Sequence, residues 1–138
     1  MDVVEIGGAL VGWARAGLTP TLSRAATDPR VALHAGDVAE VLLGRVAVPG
    51  GPWDAVLLDV DNGPDFLIHE GNDLLHQDAT LRAAHARPAP GGVLAIWCQG
   101  PAPELHRRLR AIGPSREHRY RVQRQSRRFS YGVCTLHR

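Results

Sequence analysis

The chain has 138 residues, 44% of them hydrophobic and 22% charged, which suits one globular domain, residues 1–138, with a single core. No apolar run approaches the ~20 residues that cross a bilayer, no charged and then apolar opening marks a signal peptide, and Cys98 and Cys134 read as buried, unbridged thiols of a cytoplasmic protein, with no metal site expected from two distant cysteines. All 16 basic residues are arginine and they are unevenly placed: residues 1–104 hold 13 acids and 6 arginines, a balance of −7, whereas residues 105–138 hold one acid, Glu117, and 10 arginines, a balance of +9. A basic tail of this kind can bind nucleic acid or another polyanion. The reading preferred here is a solvated helix face and a hairpin edge guarded by arginine, because no aromatic interleaving supports base stacking. Nucleic acid is therefore not expected as a partner, nor is a membrane.

Val3-Val4-Glu5-Ile6 reads as a short strand followed by Gly7-Gly8. Ala9 to Gly17 is helical in pattern, with Leu10, Trp13 and Ala14 on one face. Thr19 to Pro29 reads as a loop or weak helix, Val31 to His34 as a second strand closed by Gly36-Asp37, and Val38 to Leu43 as a short helix. After the turn-rich stretch 48–52, Trp53 to Val60 is the third strand. Gly71 to Arg87 carries helical spacing through Leu74, Leu75, Leu81 and Ala84. Pro88 to Gly92 breaks it, and Val93 to Cys98 is the fourth strand. A helix over Pro103 to Ile112 ends at Gly113-Pro114. His118 to Arg124 and Phe129 to Leu136 are then two strands joined by a basic turn. Alternating strands and helices predict an α/β fold with a mostly parallel sheet, and the short final connection predicts an antiparallel C-terminal hairpin. Trp13 and Trp97 are expected in the core.

Acids mark the ends of these strands: Glu5, Asp37, and Asp59 with Asp61. In open parallel sheets, ligands bind beyond the carboxyl ends of the strands. A Glu there commonly accepts from both ribose hydroxyls of a nucleotide cofactor, Asp37 after Gly36 could accept from an exocyclic amine, and Asp59 could orient or deprotonate a nucleophile. Each acid alone reads as a turn or a helix cap, and Asp59-Val60-Asp61-Asn62-Gly63-Pro64 reads equally as a turn. Three acids on one edge favour a site. His69, His76 and His85 are spaced by seven and nine residues, which gives no shared metal face; neither a Gly-x-Ser-x-Gly elbow nor a P-loop is present.

Val3-Val4-Glu5-Ile6, Leu10-Val11-Gly12-Trp13-Ala14-Arg15, Asp28-Pro29-Arg30-Val31, Gly36-Asp37, Trp53 to Asp59 and Pro90-Gly91-Gly92-Val93-Leu94, in this order and spacing, resemble spermidine synthases and their relatives. These belong to the class I S-adenosylmethionine-dependent methyltransferase fold, which is Rossmann-like. Asp59 to Pro64 with His69-Glu70-Gly71-Asn72 is most similar to the spermidine-synthase-like bacterial subgroup. The resemblance implies cofactor binding by Glu5, Gly36 and Asp37, with Glu5 on the ribose and Asp37 on the adenine. It also implies Asp59 as the catalytic acid facing the substrate, with Asp61 and Asn62 beside it. The donor would be S-adenosylmethionine or its decarboxylated form, and the reaction methyl or aminopropyl transfer to an amine or other small nucleophile. A homo-oligomer is expected.

Three departures limit the parallel. Aminopropyltransferases carry Asp-Ser/Thr-Ser/Thr-Asp, whose second acid helps hold the polyamine; here Asn62 stands in that place and Asp61 comes one residue early. Gly7-Gly8 replaces Asp/Glu-Pro. The Gly-rich cofactor loop is absent, because Ala9 and Val11 stand where its later glycines would be. Glu5 to Asp37 holds room for one βαβ unit, so Val3–Ile6 is expected to match the second strand of the fold, with the chain truncated before the first. That first strand lies between the second and the fourth. Its absence leaves three outcomes: a start further upstream, direct pairing of its two neighbours, or a second copy filling the gap. Each leaves the cofactor pocket incomplete, so this chain alone is expected not to bind S-adenosylmethionine at micromolar affinity. The alternative is a non-catalytic domain that keeps the fold for assembly or binding.

Overall fold

Among the described residues of the computed structural model (1–60, 70–124 and 127–138), strands and helices alternate until the last two strands. The order is β1 (Asp2–Glu5), α1 (Gly8–Arg15), α2 (Pro20–Ala26), β2 (Ala32–Ala35), α3 (Val38–Leu42), β3 (Trp53–Leu58), a 3₁₀ segment (Glu70–His76), α4 (Asp78–His85), β4 (Pro88–Cys98), α5 (Pro103–Arg110), β5 (Ser115–Arg124) and β6 (Arg127–His137). The strands form two sheets, β1-β2 and β3-β4-β6-β5. The chain clusters into two units, Met1–Gly50 and Gly51–Arg138, and each sheet belongs to one of them.

In the first unit β1 and β2 run parallel, from Asp2↔Ala32 to Glu5↔Ala35. Helix α1 joins them and buries Val11 and Ala14, one helical turn apart. It ends where Gly17 takes a φ of +79°: the N–H of Gly17 donates to Ala14 and that of Leu18 to Trp13, a Schellman closure that needs a residue without Cβ strain. Trp13 is 53% exposed, which corrects its expected place in the core. The buried stripe runs through Val11, about 100° around the helix from Leu10. Helix α2 opens on Pro20 and buries none of its residues, in keeping with the weak helical pattern there. Met1 also ties this unit to itself, its ammonium donating to the Arg30 carbonyl at 2.7 Å.

In the second unit β3 and β4 are parallel, while β4–β6 and β5–β6 are antiparallel. Strand β5 therefore runs with β3 and β4, and β6 is reversed, which gives the mostly parallel sheet and the terminal hairpin. The sheet has two unlike faces because side chains alternate along a strand. Leu58, Leu94, Ile96, Cys98, Cys134 and Leu136 are 0–3% exposed and share one face through the register Leu58↔Ile96↔Cys134. Helices α4 and α5 pack on this sheet and contribute Leu81, Ala84, Leu105 and Leu109, each at most 1% exposed. Each such leucine contributes about 1.5–3 kcal/mol on burial, so this layer is the core. On the other face Ala55 and Leu57 are exposed, and Val93, Ala95, Trp97 and Val133 are half-buried. Leu57 is 73% exposed. Trp97 lies against Tyr131 with ring centroids 5.7 Å apart and a tilt of 39°.

Strand β4 begins earlier than the sequence predicts. Pro88 already pairs with Trp53, and the register then jumps to Ala55↔Val93. Pro88 to Gly92 is thus a bulge inside the strand, where it was expected to be a break before it. A Cβ on Gly92 would lie 2.8 Å from the Asp54 carbonyl oxygen and 2.9 Å from that of Ala89, so this approach of backbones requires glycine. The helical spacing over Gly71 to Arg87 resolves into the 3₁₀ segment and α4, joined at Gln77, whose backbone is extended. Among the described pairings β1 bonds only to β2, and β3 only to β4.

Candidate functional site

Glu5 is the last residue of β1 and is half-buried. Its backbone carbonyl accepts from the Gly36 N–H at 3.0 Å, which draws the end of β1 and the turn after β2 together. Its carboxylate folds back: Oε1 accepts from the Gly7 N–H at 2.7 Å. A Cβ on Gly7 would sit 2.9 Å from that oxygen, the far end of the flexible Glu5 side chain. Asp37 is the N-cap of α3, and its Oδ1 accepts from the Ala39 N–H at 2.8 Å. This is the capping role weighed against cofactor binding. It satisfies one of the donors that a helix start leaves unpaired.

Glu5, Gly36 and Asp37 therefore share one edge of the two-stranded sheet. Each carboxylate spends one oxygen on the fold; Glu5 Oε2 and Asp37 Oδ2 make no hydrogen bond among the described residues. A side chain on Gly36 would meet nothing within 4 Å, which leaves the backbone between the two acids open. Carboxylates accept and do not donate, so this pair suits hydroxyl and amine donors such as those of a nucleoside.

Asp59 belongs to the second unit. It follows β3 directly and is exposed, beyond the end of a strand that runs parallel to β4. The assigned substrate residues Asp61 and Asn62, with His69, lie outside the described residues. Among those described, no group of His, Cys, Asp and Glu is placed to hold a metal ion, and no helix is long and apolar enough to cross a membrane. His85 Nε2 lies 2.9 Å from the His137 carbonyl oxygen, a packing role. Cys98 and Cys134 form no disulfide and are buried. The hydrogen bond between the two thiols, then burial, push the Cys134 thiol up, so Cys134 stays a protonated thiol at neutral pH.

One acid of the basic tail has a structural task. Glu117 Oε1 accepts from the Ala102 N–H at 2.9 Å, and Oε2 accepts from both Nε and an Nη of Arg119 at 2.9 and 2.7 Å. Burial pushes this carboxyl up, but the Ala102 and Arg119 bonds outweigh it and leave it below the ordinary value. Sequence reasoning missed the aromatic content of the same hairpin. Tyr120, Val122 and Phe129 are 54%, 37% and 41% exposed, and the alternation Arg119-Tyr120-Arg121-Val122 was the signal.

No protein-family model and no curated protein sequence matches the chain. Solved structures do. The chain is similar to a spermidine synthase in complex with the transition-state analogue AdoDATO, with a TM-score of 0.68 at 17% identity over 97% of this chain and 45% of that one. The spermidine synthase of Thermotoga maritima gives 0.61 at 17% identity over 97% and 43%. Human methyltransferase-like protein 13 in complex with SAH gives 0.55 at 17% over 99% and 71%. The chain thus has the fold shared by spermidine synthase and S-adenosylmethionine-dependent methyltransferases, and it spans less than half the length of the two spermidine synthases.

Proposed function

We propose that this chain carries the nucleoside-binding edge and the acceptor acid of an alkyl transferase that uses an S-adenosylmethionine-type donor. The observation that supports this most directly is the pairing of Glu5 and Asp37 on adjoining parallel strand ends, each with an oxygen not used by the fold. The solved structures of the same fold add weight, because two of those named above were obtained with AdoDATO or SAH. When bound, a sulfonium donor supplies a carbon activated for displacement. Glu5 accepts from ribose hydroxyls, Asp37 from the exocyclic amine, and Gly36 leaves space between them. Asp59 orients the nucleophile, an amine or other small acceptor, and takes up its proton. Asp61 and Asn62 are assigned beside it on the acceptor.

The test is a thermal shift of the purified chain with S-adenosylmethionine, its decarboxylated form and methylthioadenosine, each at millimolar concentration because affinity weaker than micromolar is expected. A ligand at a hundred times its dissociation constant adds about 2.7 kcal/mol of stability. Stabilisation by one or more of them that is lost in Glu5→Ala supports the reading, and no shift with any of the three overturns it. A second reading, a non-catalytic domain that keeps the fold for assembly, is favoured by one observation. Both acids already serve the backbone, Glu5 through Gly7 and Asp37 through Ala39, and would stand where they do without any ligand.

A further inference from the structure

The C-terminal hairpin outruns its sheet. Strand β6 pairs with β4 only from Gly132 to His137, whereas its pairing with β5 continues through Tyr120↔Tyr131, Arg121↔Ser130, Val122↔Phe129 and Gln123↔Arg128 to Arg124↔Arg127. Residues 120–124 and 127–131 therefore form a two-stranded ribbon with no third strand among the described residues. At ~3.3 Å per residue it projects roughly 17 Å.

Alternation gives this ribbon two chemistries. Tyr120, Val122, Phe129 and Tyr131 share one face through their cross-strand pairs. The tilted packing of Tyr131 on Trp97 fixes the root of that face. Arg121, Gln123, Arg128 and Ser130 share the other face, and all four are exposed. Arg121 and Arg128 make no ion pair among the described residues, because the one acid of this tail, Glu117, is committed to Arg119 and Ala102. An open depression of about 520 Å³ is lined by residues of both faces, Arg121, Val122, Gln123, Arg128, Phe129 and Ser130.

Edge protection accounts for arginines on a terminal hairpin. It does not account for a Tyr, a Val and a Phe left exposed between them, since exposed apolar patches mark interaction surfaces. We infer that the ribbon is a binding surface for single-stranded nucleic acid, with bases stacked on Tyr120 and Phe129 and phosphates held by Arg121 and Arg128. A single strand is the occupant because its base faces are bare; a duplex hides them, and a polyanion without bases leaves the aromatic side chains unused. This runs against the expectation that nucleic acid is not a partner, and it does not depend on the alkyl-transfer reading.

The test is fluorescence anisotropy on the full chain with labelled oligo-U RNA and oligo-T DNA of about 12 nucleotides, with inorganic polyphosphate as competitor. Binding is expected at about 50 mM salt, weakening as salt rises. In R121Q/R128Q the slope against log salt is expected to become shallower by about 1.4, or ~0.7 for each phosphate no longer neutralised. In Y120L/F129L, which keeps apolar bulk and removes the rings, affinity should fall at least about fivefold with the salt slope unchanged. The arm that binds tighter identifies RNA or DNA, and equal binding fits recognition by backbone and stacking. Absence of binding overturns the inference. So does a Y120L/F129L protein that binds as the wild type does while polyphosphate competes charge for charge. The single variant F129L serves if melting shows the double variant misfolded.

Discussion

Asp37→Ala separates the two tasks given to the acids at the strand ends. Asp37 caps α3 through one 2.8 Å bond to the Ala39 N–H. The helix has five residues, of which Ala39 and Leu42 are 3% and 4% exposed. Removing a cap costs about 0.5–2 kcal/mol, typically ~1. Here the upper half of that range is expected, because the residue that loses its acceptor is buried and water cannot easily replace it. About 1–2 kcal/mol lowers the melting temperature of a chain this size by roughly 4–8 °C. Asp37→Asn retains a capping oxygen and should lose about 0.5 kcal/mol or less. Urea and thermal denaturation of the three proteins measure both numbers. The capping argument fails if Asp37→Ala loses less than about 0.5 kcal/mol, or if Asp37→Asn loses as much as Asp37→Ala. The same proteins titrated with S-adenosylmethionine read the second task. A stable Asp37→Asn chain whose ligand-induced shift is reduced shows that the carboxylate serves the ligand as well as the helix.

Leu94, at 0% exposure between β3 and β6, should cost about 2–5 kcal/mol when changed to Ala, measured by urea denaturation. Gly92→Ala pushes a methyl against the backbone oxygens of Asp54 and Ala89 and should cost about 1–3 kcal/mol in the same assay. Cys98 and Cys134, both buried, should resist a thiol reagent in the native protein and react fully in denaturant. The guanidinium groups of Arg107 and then Arg108 hold the Glu104 carboxyl down from its ordinary 4.5 to about 2. A depressed carboxylate favours folding at pH above its unfolded value and loses that contribution as pH falls toward the folded one. Its carboxyl resonance should therefore titrate near 2, and return to the usual range in R107Q/R108Q.

The element order was legible because strands and helices write different periods. In β3 the neighbours Leu57 and Leu58 read as one apolar run, yet one is 73% exposed and the other 3%. A run of like residues carries no phase, so only pairing with β4 decides which of them faces the helices. Phase also failed in α1. Leu10 and Trp13 outweigh Val11 in apolar size, but Val11 and Ala14 line the buried stripe and Trp13 points away. The start of β4 was misplaced for a different reason. Proline and glycine are read as breakers from sequence, whereas Pro88 pairs with Trp53, and Gly91, at a φ of +82°, and Gly92 carry the chain around a bulge. On the hairpin, charge dominated the reading: the ten arginines of residues 105–138 outweighed Tyr120 and Phe129, which pairing places on one exposed face.

The candidate site was legible as residues and not as roles, and the cause lies in the carboxylate itself. Two oxygens with about four lone-pair positions allow one acid to cap a turn and still accept from a ligand. Glu5 and Asp37 each show half of that arrangement, with Oε1 on Gly7 and Oδ1 on Ala39. Holding one oxygen by a backbone N–H fixes the direction of the other, which reduces the entropy lost when a hydroxyl or amine arrives. The turn reading and the site reading of these acids are therefore compatible, and a substitution that only neutralises the acid tests the second without removing the first. Glu5→Gln keeps an oxygen for the Gly7 N–H, so it should fold as the wild type does. If it also keeps the full ligand-induced shift, the charge on Glu5 does no work beyond its own loop.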